Sequence, residues 1–106
     1  MPKPKNVKKE TKVVKEFPFK IGADPEFVLL AGEKFVPAQD AMRKFMPLLK
    51  GVTSGDGGYI VGDHGTIGWD GLNATGEIRP TAEKSPTKIT EHIGCLIAKG
   101  VEAFPF

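Results

Sequence analysis

The chain has 106 residues, of which 40% are hydrophobic and 26% are charged, and its formal net charge is +2. This length allows one modest core and excludes two full domains, and the composition excludes a wholly disordered chain. No apolar run approaches the roughly 20 residues that span a bilayer, and the single cysteine excludes an internal disulfide. We therefore expect a cytoplasmic protein without a membrane segment.

Residues 1–16 form a basic segment. Six lysines stand there against Glu10 and Glu16, which gives the segment a formal charge of +4 and leaves −2 for the remainder. The prolines at positions 2 and 4 and the few apolar residues predict a mobile arm. Such an arm is either simply solvated or contacts nucleic acid or another polyanion through charge attraction.

The residues after the arm predict a β-hairpin over 19–37. Residues 17–21 and 26–30 are short and rich in β-favouring side chains, and a turn is expected at 31–34. Pro25 has no amide hydrogen, so it is expected at the start of its strand, with Glu26 near the strand end.

The middle of the chain predicts little regular structure. Residues 41–50 are apolar enough for a helix, but Pro47 would interrupt it, so we expect a loop with one helical turn. Nine glycines between positions 51 and 76 limit strands to short pieces such as 59–61 and 66–69.

A C-terminal helix is predicted over 86–99. Ser85 is a good N-cap, Pro86 suits the first turn, and Gly100 is typical of a helix stop. An apolar stripe is expected to pack on the sheet; it consists of Ile89, Ile93, Leu96 and Ile97. His92 and Cys95 lie off the centre of this stripe and are interpreted as structural. The prediction for 17–106 is therefore one α+β domain, with four or five antiparallel strands and this helix packed on them.

A strand over about 74–80 would carry a polar face. Alternation places Thr75, Glu77 and Arg79 on one side. Such a row suits either a site that holds a metal and an anionic group or a solvent-facing strand with a surface ion pair. Spacing alone favours the second interpretation.

If the strand of Glu26 lies beside that of Glu77, two carboxylates point into the same space and favour a cation between them. Magnesium is the natural candidate because it prefers oxygen ligands and keeps waters and phosphates as the others. Asp70 is a third candidate ligand, although Asp70-Gly71 is also a common turn pair.

Several other functional sites are largely excluded. The glycines at 65, 68 and 71 do not form the dinucleotide fingerprint, and there is neither a Gly-Lys-Ser/Thr phosphate loop nor a Gly-x-Ser-x-Gly elbow. His64, His92 and Cys95 are too few for a structural zinc site. His64 could act as an acid or base, but a lone loop histidine is more often a surface residue.

The motifs together resemble a known family. They are Gly22-Ala23-Asp24-Pro25-Glu26-Phe27, Val36-Pro37-Ala38, Asp70-Gly71 and Glu77-Ile78-Arg79-Pro80. Their order is similar to that of the type 2 carboxylate–amine ligases, the phage and bacterial amidoligases related to glutamine synthetase and glutamate–cysteine ligase. The resemblance covers residues 19 to 98, and the first hexapeptide is its most specific part.

The resemblance implies an antiparallel sheet that binds Mg²⁺ and ATP, activates a carboxylate as an acyl phosphate, and joins it to an amine. It implies that Glu26, Glu77 and Asp70 are metal ligands. It implies that Arg79 has both a catalytic and a cofactor-binding role, in which it steadies phosphate or substrate carboxylate. The expected substrates are carboxylates and amines, either small molecules or peptides.

Members of this family usually continue well beyond the helix that ends this chain. We therefore expect an N-terminal part of a ligase, completed by a further segment, a partner or its own copies. The alternative is a noncatalytic binding or assembly protein derived from the family, associated with a phage or virion, whose arm at residues 1–16 contacts nucleic acid or a partner. In either case the expected location is the host cytoplasm, and the virion is the alternative location.

Overall fold

The computed structural model describes residues 15–70 and 75–106, and this part has an α+β fold. Its strands are β1 Glu26–Phe27, β2 Leu29–Ala31, β3 Lys34–Val36, β4 Val52–Gly55, β5 Gly58–Val61, β6 Gly65–Trp69 and β7 Gly76–Pro80. Its α-helices are α1 Ala38–Phe45 and α2 Pro86–Ala103, and a 3-10 turn, Met46–Leu48, follows α1. Five strands form an antiparallel sheet in the order β1-β7-β6-β5-β4, and β2 pairs with β3 separately. The predicted fold class is confirmed.

The start of the described chain runs beside the segment before α2. The amide of Phe17 donates to the Lys84 carbonyl at 2.7 Å, and Ile21 and Glu83 form an isolated antiparallel bridge. The predicted hairpin is therefore shorter than expected and consists of β2 and β3 alone. Residues 1–14 of the lysine-rich arm predicted for residues 1–16 lie outside the described residues.

The glycine-rich segment forms the centre of the sheet. β4 and β5 are joined by a two-residue turn, Asp56-Gly57, because Gly55 pairs directly with Gly58. Gly57 has a φ of 67°, which the turn requires and which glycine adopts without steric cost. The glycines therefore serve turns and close backbone contacts inside a regular meander. The predicted short strands at 59–61 and 66–69 are confirmed as parts of β5 and β6.

The loop predicted for 41–50 is replaced by α1 and the 3-10 turn. Ala38, Ala41 and Met42 are buried on one face of α1, which gives this helix its amphipathic contact with the sheet. Pro47 lies in the first turn of the 3-10 segment, where a missing amide hydrogen breaks no bond. The proline therefore changes the helix type and does not prevent α1.

Helix α2 begins as predicted but ends later. The Ser85 Oγ atom accepts a hydrogen bond from the Lys88 amide at 3.3 Å, as expected of an N-cap. The predicted stop at Gly100 is wrong, because α2 continues to Ala103. Gly100 is buried, and a Cβ added there would stand 3.1 Å from the Cδ1 atom of Ile67. This glycine allows close packing of helix on sheet.

Both helices pack on the same face of the five-stranded sheet. The core between them contains Ala38, Met42, Met46, Tyr59, Val61, Ile67, Ile78 and Leu96. Ile97, expected in the apolar stripe, is 50% exposed, whereas His92 is buried. Neither α1 nor α2, the helices of the described residues, has the length and hydrophobicity of a membrane span.

Candidate functional site

Alternation along the strands leaves a second face of the sheet opposite the helices, which we call the polar face. It carries Glu26, Gly58, Thr66, Gly68, Glu77 and Arg79, as the pairings of Gly58 with Gly68, Gly68 with Glu77 and Thr66 with Arg79 require. The predicted grouping of Glu77 with Arg79 on one side of β7 agrees with this register, and Glu26 joins them from β1.

The two glutamates are direct neighbours across strands. Glu26 pairs with Glu77 and Phe27 pairs with Gly76 in the β1–β7 ladder. The Ile78 amide donates to the Pro25 carbonyl at 2.8 Å, which extends this ladder by one residue. Directly opposed residues of an antiparallel pair project from the same face, with Cβ atoms about 4.5–5.5 Å apart. The two carboxylates therefore share one region of the polar face.

The register of this short ladder is fixed by packing. The ring of Phe27 lies over Gly76 so closely that any Cβ at position 76 would collide with the ring carbons. A slip of β1 by one residue would reverse the faces of its side chains and remove the Phe27 ring from this space. The contact between Phe27 and Gly76 therefore positions the carboxylate of Glu26 opposite that of Glu77.

Arg79 lies across the polar face beside Glu77. Its guanidinium donates to Glu77 Oε1 at 3.0 Å, to the Trp69 carbonyl at 2.9 Å and to the Gly57 carbonyl at 3.4 Å. The side chain of Glu77 is 17% exposed and that of Arg79 is 35% exposed. This pair is thus more enclosed than the solvent-facing ion pair that spacing alone favoured, and Arg79 also links β7 to two neighbouring backbone segments.

Two opposed glycines allow the β4–β5 turn to lie close against β6. A Cβ on Gly68 would collide with the Gly57 carbonyl, and one on Gly58 would stand 2.7 Å from the Ile67 carbonyl oxygen. Gly58 and Gly68 are both buried, so the backbone here has no space for side chains. The result is close packing of backbone against backbone next to Glu77 and Arg79. The glycine count signalled close backbone approach, but not its location.

Asp70, just after β6, is hydrogen-bonded to Thr75, just before β7. Its carboxylate accepts a hydrogen bond from the Thr75 hydroxyl at 2.7 Å, and its amide donates to the Thr75 carbonyl at 3.1 Å. Among the residues that the structure describes, no three His, Cys, Asp or Glu side chains form a group that could hold a metal. The structure therefore does not assemble Asp70 with Glu26 and Glu77, and its role as a third ligand stays a prediction.

The donors that do come together suit magnesium. Glu26 and Glu77 offer hard carboxylate oxygens, and Arg79 occupies Oε1 of Glu77. Magnesium is commonly held by only one or two carboxylates, with waters and substrate phosphates as the remaining ligands. A pair of glutamates on an accessible sheet face therefore fits this ion, although it does not form a closed cage.

A second polar cluster lies on the helix side of the sheet, and sequence reasoning missed it. The Nδ1 atoms of His64 and His92 lie 3.0 Å apart, and His92 Nε2 lies 2.8 Å from Glu83 Oε2. We call these three residues the histidine cluster. The hydrogen bond from His92 holds the pKa of Glu83 below its ordinary value, and the nearby charges of Lys88 and Lys20 act in the same direction.

The histidine cluster is held on both sides. His64 lies in the turn between β5 and β6, where the Thr81 hydroxyl donates to the Asp63 carbonyl at 2.6 Å and the Thr81 amide donates to the His64 carbonyl at 3.0 Å. His92 is on the buried face of α2, four residues before Leu96. That spacing was the available sequence signal. The apolar stripe placed His92 off its centre, whereas the structure buries His92.

A concave apolar groove of about 390 Å³ lies beside α2. Apart from Glu26, its walls are apolar; they consist of Pro25, Phe27, Val28, Leu29, Leu30, Ile67, Ile78, Ile97, Gly100, Val101, Phe104 and Phe106. The groove has volume but few convergent polar groups, so the chemistry lies with the polar face and the histidine cluster. Comparison of the chain with protein-family models, with curated proteins and with solved structures finds no match.

Proposed function

We propose that the polar face binds Mg²⁺ together with the phosphates of ATP, as the metal-binding part of a carboxylate–amine ligase. The observation that carries this proposal is the direct pairing of Glu26 with Glu77 beside the guanidinium of Arg79. Two carboxylates and one cation on a sheet face match the needs of a metal–phosphate complex.

The two glutamates have the first role in this proposal. Glu26 and the free oxygen of Glu77 would hold the ion, and the ion when bound would neutralise phosphate charge during transfer of a phosphoryl group to a carboxylate. Opposed carboxylates repel each other in a sheet, and the ion pair of Arg79 with Glu77 offsets part of this repulsion. A bound cation would remove the repulsion between the two carboxylates and would therefore stabilise the ion-bound protein.

Arg79 has the second role. Its hydrogen bonds to the Trp69 and Gly57 carbonyls hold the guanidinium in one place on the sheet. A guanidinium carries five N–H donors, so these contacts and the one to Glu77 leave donors for a phosphate oxygen. A fixed cation of this kind stabilises negative charge without having to reorganise during the reaction.

The glycines at 58 and 68 have the third role, since they let the Gly57 carbonyl lie close to β6, where it accepts from the Arg79 guanidinium. The ligase assignment extends this binding role through the motif resemblance at residues 22–27 and 77–80, which associates the same two glutamates with acyl-phosphate chemistry.

Calorimetric titration of the full chain with ATP, in Mg²⁺ and in EDTA, tests the proposal. We expect saturable binding that requires Mg²⁺ and that falls at least tenfold in Glu77→Gln and in Glu26→Gln. Glu33→Gln is the matched control, because Glu33 is an exposed carboxylate in the β2–β3 turn. Circular dichroism establishes that each variant is folded.

Two results would contradict the proposal: absence of Mg²⁺-dependent binding to the folded chain, or equal affinity in Glu77→Gln and Glu33→Gln. Arg79→Lys separates the role of the arginine, because lysine keeps the charge and loses the planar fork. We expect Arg79→Lys to weaken ATP binding while Mg²⁺ binding alone is retained.

A further inference from the structure

We propose that His64 and His92 form a site for a nitrogen-preferring divalent transition-metal ion, of the Cu²⁺ or Ni²⁺ type, with each Nδ1 atom as a ligand. This site is separate from the magnesium site. It lies on the helix side of the sheet, near the Gly65 end of β6, whereas Glu77 pairs with Gly68 roughly 10 Å along that strand.

The distance between the two nitrogens supports a chelating pair. They lie 3.0 Å apart and approach each other from two different elements, the β5–β6 turn and α2. With metal–nitrogen distances of about 2.05 Å, two ligand nitrogens are about 2.9 Å apart at a right angle and about 3.3 Å apart at a tetrahedral angle. The observed spacing is closer to the right angle of tetragonal Cu²⁺ and Ni²⁺ sites.

Glu83 supplies the second observation. An ionised carboxylate only accepts hydrogen bonds, so its contact of 2.8 Å with His92 Nε2 places the proton of that ring on Nε2. The Nδ1 atom of His92 then carries a lone pair and no proton, so it can act as a ligand. Histidines that bind metals commonly donate their other ring N–H to a carboxylate in this way.

The surrounding backbone keeps the cluster in place. Glu83 is bridged to Ile21, and Thr81 makes two hydrogen bonds to the turn that carries His64. His92 is 8% exposed, whereas His64 is only partly buried, so an ion can reach the pair from the side of the turn. Since the described residues hold no group of three metal-ligating side chains, waters would complete the coordination.

The chain makes the test simple because it contains only two histidines. The full chain is titrated with Ni²⁺ by calorimetry and with Cu²⁺ by electron paramagnetic resonance. We expect one ion per chain and a Cu²⁺ spectrum with coupling to two imidazole nitrogens. His64→Ala, a change in a surface turn, is expected to lower Ni²⁺ affinity at least tenfold.

Glu83→Gln tests the orienting contact. Loss of such a carboxylate typically costs 10–100-fold in metal affinity, and we expect a fall in that range. Glu91→Gln is the matched control, because Glu91 is an exposed carboxylate one position before His92 on α2. Cys95→Ser controls for the thiol and is expected to change the affinity less than twofold.

Equal Ni²⁺ affinity in the wild type and in folded His64→Ala would overturn the proposal. So would a Cu²⁺ spectrum without two-nitrogen coupling, or a Glu83→Gln variant that binds as tightly as Glu91→Gln. These results would assign the pair to a hydrogen bond between the rings. None of them depends on ATP or Mg²⁺, so the outcome is independent of the proposed ligase role.

Discussion

Glu26 and Glu77 stand directly opposite each other in the β1–β7 ladder. Like charges in this position destabilise an antiparallel pair. The cost falls on β1, which contributes only two residues to the sheet and has few other backbone bonds to hold it. This arrangement is unfavourable for stability and favourable for binding a cation, and the two effects can be measured in the same variants.

Glu26→Gln is expected to stabilise the chain in EDTA by roughly 0.2–1 kcal/mol, because it removes the repulsion across the pair. The same change is expected to abolish the rise in melting temperature that Mg²⁺ with ATP produces in the wild type. Thermal unfolding with and without Mg-ATP measures both effects. A melting temperature in EDTA at or below that of the wild type would mean that the pair is not repulsive.

Leu96→Ala is expected to destabilise the domain by about 2–5 kcal/mol, because Leu96 is fully buried between α2 and the sheet. Ile97→Ala changes a neighbouring side chain that is 50% exposed, and its expected cost is less than about 1.5 kcal/mol. Urea unfolding of both variants measures the difference. Similar costs for the two changes would contradict the assigned helix orientation.

Gly68→Ala is expected to destabilise the sheet strongly, by roughly 1–3 kcal/mol, because the added Cβ would collide with the Gly57 carbonyl. Gly94→Ala is the opposite case. Gly94 is exposed on α2 and has no atom within 4 Å of an added Cβ, so alanine should stabilise the helix by up to about 1 kcal/mol. Urea midpoints that shift in the same direction for both variants would contradict this packing.

The stability of the wild type should depend on Glu83 in acid. The pKa of Glu83 is lowered in the folded chain first by the hydrogen bond from His92 and then by the nearby charges of Lys88 and Lys20. A lowered carboxyl pKa contributes stability above the unfolded value of about 4.3, and that contribution is lost as the pH falls through the folded value. The stability deficit of Glu83→Gln relative to wild type should therefore shrink progressively as the pH falls below the unfolded pKa.

Urea unfolding at several pH values between 7 and 3 measures this deficit, with Glu91→Gln as the control for an exposed carboxylate on α2. A gap between wild type and Glu83→Gln that stays constant over this range would show that the ionised form of Glu83 has no special role in the fold.

Sequence patterns correctly predicted the features that are determined by residues close together in the chain. Ser85 and Pro86 mark the start of α2, and alternation along β7 places Glu77 and Arg79 together. Each of these depends on residues within a few positions of one another, so one sequence contains the whole signal. The α+β class followed from the same patterns.

Contacts between distant residues could not be predicted in this way. His64 and His92 are 28 positions apart, and their meeting depends on where α2 docks. Gly100 was expected to end α2 because glycine is typical of a helix stop. Its actual role, close packing against Ile67 of β6, has no sequence signature. From the sequence, the magnesium site depended on the condition that the strand of Glu26 lies beside the strand of Glu77. The register of β1 against β7 meets this condition, and the sequence does not contain that register.

The buried residues of α2 are His92, Leu96 and Gly100, spaced by four. They form a single line of contact, in which a rise of about 6 Å separates His92 from Leu96 and Leu96 from Gly100. Leu96 therefore lies midway between the other two contacts of α2 with the sheet. A larger side chain at Gly100 would move the C-terminal end of α2 away from the sheet and shift His92 at the other end. The distance between the imidazoles of His64 and His92 would then report the tilt of α2 on the sheet.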